Sequence, residues 1–250
     1  MELLAGASPR RLARTAGALY LVNIVAGAFA IGLVPAKLIV PDPSTTAHNI
    51  QAHEMLYRLG LTAHVVVTLT NVPMALMFYE LFKVVNRRLA LLDVFFVLVA
   101  TAIEAAGLLN QFVPLVLLGD DRYAKDLPAA QLQALAHLPG DLSGIDYSIY
   151  GIFYGFDILC VCYLVATSGF LPRAIGVLLA IDGVAYLVNG FTNLLAPGVA
   201  AHLTPWINVP APVGEGSLCL WLLIAGVDPE RWKRHLRSER SDYGYGWIRY

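Results

Sequence analysis

Apolar residues run through this chain in six long stretches, 16–39, 59–82, 89–118, 147–167, 171–195 and 206–227. Each matches or exceeds the roughly 20 residues a helix needs to cross the hydrocarbon core of a bilayer. Turn chemistry separates them. Pro41-Asp42-Pro43-Ser44 follows the first, Asn86-Arg87-Arg88 the second, and Gly119-Asp120-Asp121-Arg122 the third. Ser168-Gly169 then divides the fourth from the fifth, and Ala196-Pro197-Gly198 ends the fifth. The pattern predicts an all-α fold, a polytopic membrane helix bundle of six transmembrane helices. The third stretch is long enough to tilt, or to stop early near Pro114. Residues 127–138 carry a weaker amphipathic pattern, too short to span, that predicts an external surface helix.

Polar residues within the stretches recur at helical spacing. In the fifth, Asp182, Tyr186, Asn189 and Asn193 fall at i, i+4, i+7 and i+11, one face of a helix. Tyr150, Tyr154 and Asp157 share a face in the fourth stretch, Asp93, Glu104 and Gln111 in the third, and His64, Thr68 and Asn71 in the second. Asn208 and Glu215 repeat the seven-residue interval in the sixth, and Asn23 lies near Tyr20 and Gly27 in the first. Such stripes are expected to face one another rather than lipid. Gly151 and Gly155, a small-xxx-small pair, predict close packing against the fourth helix. Glu104, Asp157, Asp182 and Glu215 fall near mid-span, with no Lys or Arg at comparable depth. Each ionisable group costs on the order of 3 kcal/mol at a helix centre. The four are therefore the candidates for binding a proton or a cation. Glu80 and Asp93 lie nearer the span ends beside Lys83, Arg87 and Arg88, where local ion pairing is expected.

Composition supports the membrane reading. Hydrophobic residues are 58% of the 250 and charged residues 14%, where soluble domains carry about a quarter charged; mean hydropathy is +0.63. The net charge of −1 supplies no basic field for nucleic acid, and the bilayer is the expected partner. Basic residues set the orientation. With the N-terminus inside, cytoplasmic segments hold thirteen Lys and Arg: Arg10, Arg11, Arg14, Lys83, Arg87, Arg88, Arg173, Arg231, Lys233, Arg234, Arg237, Arg240 and Arg249. The outside segments hold four, Lys37, Arg58, Arg122 and Lys125. That excess predicts cytoplasmic N- and C-termini. A cleaved signal peptide ending at Ala28-Phe29-Ala30 fits poorly, because the apolar run continues through Ile39.

The chain divides into a six-span transmembrane domain, 1–227, and a basic, aromatic-rich cytoplasmic tail, 228–250. Asp228-Pro229-Glu230 joins an N-cap residue to proline at the first helical position, predicting a short basic helix with Trp232 and Leu236 on one side. Such a helix is expected near anionic headgroups. Residues 243–250 are expected to be poorly ordered. Cys160, Cys162 and Cys219 all fall in apolar runs, where a thiol packs as a small hydrophobe. His64 stands alone among span histidines and makes a poor ligand site. Asp42, His48, His53 and Glu54 have metal-binding composition, but their spacing matches no recognised site, so solvated loop residues are expected. No zincin, P-loop, dinucleotide or nucleophile-elbow motif occurs, and neither a metal nor another cofactor is expected.

Several segments resemble a bacterial membrane family, domain of unknown function 4386. They are Arg14-Thr15-Ala16-Gly17-Ala18-Leu19-Tyr20-Leu21, Val85-Asn86-Arg87-Arg88-Leu89-Ala90-Leu91-Leu92 and Ser168-Gly169-Phe170-Leu171-Pro172-Arg173-Ala174-Ile175-Gly176-Val177-Leu178-Leu179. Gly214-Glu215 leading to Leu220-Trp221-Leu222-Leu223 adds a fourth, so the likeness runs from about residue 10 to 227. It implies a multi-pass protein of the bacterial cytoplasmic (inner) membrane and no activity.

Three functions remain open on the sequence. A carrier of a small solute or cation would use Glu104, Asp182 and Glu215 for protons or cations, with Asp157 a further candidate. Asn23, His64, Asn71, Tyr154, Tyr186, Asn189 and Asn193 would line its polar cavity. A non-catalytic accessory or sensor would use the stripes only for assembly. A membrane-embedded enzyme would turn a carboxyl pair on a lipid-soluble substrate. Three spans followed by three have the inverted orientations of a repeat, yet the halves share no convincing sequence echo.

Overall fold

The computed structural model describes residues 8–119 and 121–244 and is helical almost throughout. Helix α1, Pro9–Gly27, starts before the apolar run, because the Ser8 hydroxyl accepts from the Arg11 amide and Pro9 takes the first helical position. It continues through a π-helical stretch, Ala28–Leu33, into α2, Val34–Leu38. Next come α3, Pro43–Ala52, and α4, Glu54–Asn110. Short helices α5, Val113–Gly119, and α6, Asp121–Asp126, lead to α7, Ala129–Ser168, and α8, Arg173–Leu195. Then follow α9, Pro197–Leu203, a 3-10 turn, Trp206–Asn208, α10, Pro210–Ile224, and α11, Pro229–Gly244.

Among the described residues, five helical segments are long and apolar enough to cross a membrane: Pro9–Leu38, Glu54–Gly119, Ala129–Ser168, Arg173–Leu195 and Trp206–Ile224. The second is a hairpin. Asn86 leaves helical geometry at φ −154° and ψ 101°, and its side-chain carbonyl accepts from the Leu89 amide as a new N-cap. A straight helix would hold His64 and Glu104 about 60 Å apart, yet their side chains meet at 3.1 Å. Tyr57 likewise donates to the Gln111 carbonyl at 2.7 Å. The two arms, 54–85 and 87–110, therefore run antiparallel. The second arm ends at Gln111, just before Pro114, as the sequence suggested.

Helix α8 shows how the chain meets its solvent. Val177, Ile181, Val184 and Phe191 are exposed, while Asp182 and Asn189 are buried. Polar groups inside and aliphatic groups outside are the arrangement a lipid environment selects. Helices α7 and α8 touch through glycines. A Cβ on Gly183 would lie 3.0 Å from the Gly155 carbonyl, and one on Gly190 would lie 2.8 Å from the Ser148 carbonyl. The expected close packing at Gly155 is thus present. Helix α10 closes the bundle against α1, where a Cβ on Gly17 would meet the Leu223 amide nitrogen at 2.6 Å.

One expectation changes. Residues 127–138 form no separate surface helix: Pro139 is taken into α7, which runs unbroken from Ala129. Its 40 residues measure about 60 Å, so its first turns rise beyond a bilayer core of about 30 Å. Helix α11 forms as expected, with the Asp228 carboxylate accepting from the Glu230 and Arg231 amides. Trp232 and Leu236 pack on the core, and the Trp232 indole donates to the Leu81 carbonyl at 2.9 Å. The expectation for the tail's end, 243–250, falls almost wholly outside the described residues.

In the loop, Asp42 caps α3. Its carboxylate accepts from the Ser44 hydroxyl at 2.6 Å and from the Thr45 hydroxyl and amide at 2.6 and 2.8 Å. These donors hold its pKa at about 2, below the usual carboxylate range. Glu54 pairs with Arg58 at 2.7 Å.

Candidate functional site

Glu215 is the most heavily bonded carboxyl in the bundle. It rises from α10, one residue after Gly214. A Cβ at Gly214 would sit 3.2 Å from the Leu178 carbonyl and 3.4 Å from Asp182 Oδ2, so the glycine brings α10 close to α8. Tyr20 of α1 and Tyr154 of α7 donate to Glu215 Oε2 at 2.7 and 2.8 Å, and Tyr186 of α8 donates to Oε1 at 3.2 Å. One carboxyl thus ties four helices together. Tyr154 stacks on Tyr150 at 5.2 Å between centroids, Tyr150 on Tyr147 at 5.8 Å, and Tyr186 meets Tyr154 edge-on at 5.1 Å. Asp182, 1% exposed, lies beside this cluster, and neither of its carboxyl oxygens has a hydrogen-bond partner.

A second cluster forms on the hairpin. Glu104 Oε1 lies 3.1 Å from His64 Nε2, and the Asn71 amide donates toward Glu104 Oε2 at 3.4 Å and to Thr101 at 3.1 Å. Asn71 Oδ1 accepts from the Asn23 amide at 2.8 Å, and that amide also reaches the Val67 carbonyl and Thr70. The network binds α1 to both arms of α4.

The clusters meet at one cavity of about 390 Å³, whose wall includes Glu104, Glu215, Asn23, Tyr147, Tyr150, Tyr154 and Tyr186. Its apolar wall comes from Ile24, Val67, Ala211 and Pro212, and from the π-helical stretch through Ala28, Ile31 and Gly32. π-helical turns recur at functional sites because they displace the backbone from the regular ladder. Among the described residues, no Lys, Arg or His lines this cavity. A second cavity of about 270 Å³ shares Ile31, Glu104, Tyr147 and Tyr150 with the first and adds His64, Gln111, Ser143 and Asp146. Among the described residues, no group of three or more His, Cys, Asp or Glu side chains is placed to hold a metal ion.

The stripes converge unevenly. Asn23, Tyr154, Tyr186, Glu104 and Glu215 share the first cavity, His64 joins at the second, and Asn71 is buried behind Glu104. Asn193 donates to Asn189 along α8, and neither side chain lines the first cavity. Asp157 turns the other way, toward Asp93, and both are buried. Here the sequence reading of Asp93 is corrected. Glu80 does pair with Lys83, at 2.6 Å. Asp93, however, points inward against Asp157, with Oδ1 unpartnered. Asp146 was passed over by the sequence reading, although it lies four residues before Tyr150 on the same face. It packs so closely on Gly107 that a Cβ there would overlap its carboxylate.

A family model, Domain of unknown function (DUF4386), matches residues 15–226. No curated protein and no solved structure matches the chain.

Proposed function

From the premise that the chain belongs to the DUF4386 family, whose description assigns no activity, we propose that it is a carrier of a small cation in a bacterial cytoplasmic membrane. One observation carries the reading: two carboxyls from separate helices line a cavity in the bundle that, among the described residues, no basic side chain lines. A cavity with that wall disfavours anions and, at low dielectric, attracts a positive solute. Glu215 and Glu104 are the binding groups. Asp182, unpartnered beside Glu215, is the group that exchanges a proton as the cation comes and goes. A bound cation offsets charge on neighbouring carboxyls, and a proton serves that purpose when the cation leaves.

In this reading the chain crosses the membrane six times with both ends in the cytoplasm. The hairpin at Asn86 supports the count by splitting Glu54–Gly119 into two crossings. Contacts at one end of the bundle support the orientation. Arg14 donates to the Ile224 carbonyl, Arg231 to the Gly169 carbonyl, and Trp232 to the Leu81 carbonyl. The basic N-terminal segment, the turns near 86 and 169 and the basic tail therefore share a face, as an even number of crossings requires.

Uptake into proteoliposomes with an imposed pH gradient tests the proposal. Wild type should accumulate cation when the gradient drives protons the other way, and Asp182→Asn should lose that dependence. Unchanged gradient-driven uptake by the variant would remove Asp182 from the coupling. The accessory reading draws support from the Asn23–Asn71–Thr101 network, which joins helices without needing a ligand. It predicts that neutralising the carboxyls changes stability alone.

A further inference from the structure

The walls of the larger cavity narrow the kind of cation. Resting on the carrier reading, we infer that the ligand is an organic ammonium ion, a protonated or quaternary amine with an apolar body, rather than an inorganic cation. Hard inorganic cations are held by six to eight oxygens at about 2.0–2.6 Å. Among the described residues no group of three or more His, Cys, Asp or Glu side chains is placed to hold a metal ion, and Glu215 already spends its oxygens on three phenol hydroxyls. A volume of about 390 Å³ instead falls in the range of small-molecule sites. Four tyrosine rings share the wall with Ile24, Ile31, Val67 and Pro212. Aromatic rings beside a carboxylate are the chemistry that recognises alkylammonium groups. The π quadrupole attracts the diffuse charge without demanding that a tight hydration shell be stripped, and the carboxylate supplies the counter-charge. The aliphatic part of the wall takes the body of the amine. Asp182, 1% exposed with both oxygens unbonded, lies next to Glu215 but outside the lining of this cavity.

Binding to the purified full-length protein in nanodiscs tests this. The probes are benzyltrimethylammonium, its neutral carbon isostere neopentylbenzene, and the chlorides of sodium, potassium and magnesium. Benzyltrimethylammonium should bind saturably and raise the melting temperature, with the neutral isostere at least tenfold weaker. Tyr154→Phe keeps the ring and should hold affinity within about threefold. Tyr154→Leu should lose about tenfold, and Tyr150→Leu serves if that variant fails to fold. Equal binding of the neutral isostere would overturn the inference, because charge would then not be read. Saturable sodium, potassium or magnesium binding that disappears in Glu215→Gln, with no ammonium binding, would overturn it while leaving the carrier reading standing. No binding by any cation would remove both.

Discussion

Three phenol hydroxyls on one carboxyl make Glu215 a structural knot as well as a candidate ligand. A hydrogen bond to a charged group contributes about 1.5–3 kcal/mol. Tyr20 is 2% exposed and acts where α1 meets α10, so Tyr20→Phe should cost about 2 kcal/mol, read as a lower midpoint in thermal or denaturant melts. A different pH response belongs to Asp42. Its pKa of about 2 lies below that of the unfolded chain, so its contribution to the loop is full above about pH 4. It fades as pH falls through about 2. The carbon-13 shift of the Asp42 carboxyl, followed from pH 5 to 1.5, should titrate near 2, and a midpoint near 4 would show that the cap is not formed. Residue-scale reading of the sequence succeeded where chemistry was local, as at Asp228-Pro229; at Asp42-Pro43, read as a turn, Asp42 instead caps a helix, Pro43–Ala52. The reading failed at Asp93. Three basic neighbours in sequence suggested a surface pair, but the rotation of the second arm of α4 turns the carboxyl inward to Asp157, and rotation is set by packing partners.

Close contacts between elements depend on the absence of side chains. Gly17→Ala would drive a methyl against backbone at Leu223, and Gly183→Ala against Leu159 and the Gly155 carbonyl. Each should cost about 1–3 kcal/mol by overpacking. Gly198→Ala, whose methyl meets nothing within 4 Å, is the matched control and should be neutral. A loss at Gly198 equal to that at Gly17 would remove the close-approach explanation. Asn86→Ala takes the cap from the second arm of the hairpin and should cost about 1 kcal/mol, seen in the same melts. Element boundaries were legible where apolar length and turn residues agreed, as for α8, observed at Arg173–Leu195 against an expected 171–195. They were not where a helix outruns the apolar run. Ser8-Pro9 starts α1 among basic residues, and Pro139 sits inside α7 rather than ending it.

For the whole molecule, the polar stripes predicted an interior with a polar seam, and that seam is present. Which stripe meets which was not written in any one of them. Asp182, Tyr186, Asn189 and Asn193 share a face, yet Tyr186 reaches Glu215 while Asn193 bonds within its own helix. Helix tilt decides what covers a stripe at each level. The carboxyl clusters likewise depend on order around the bundle, which no single helix encodes. Trp232 joins the tail to the turn side of the hairpin arms, so Trp232→Phe should lower stability by about 1 kcal/mol through loss of its bond to the Leu81 carbonyl.

Contact between α1 and α10 also sets a timetable for synthesis. Tyr20 and Glu215 are 195 residues apart, and at about 5–20 residues per second a ribosome needs roughly ten to forty seconds between them. Through that interval the Tyr20 hydroxyl lacks its Glu215 acceptor and Gly17 lacks the Leu223 backbone that covers it. Any nascent chain halted before α10 emerges leaves both positions without these partners.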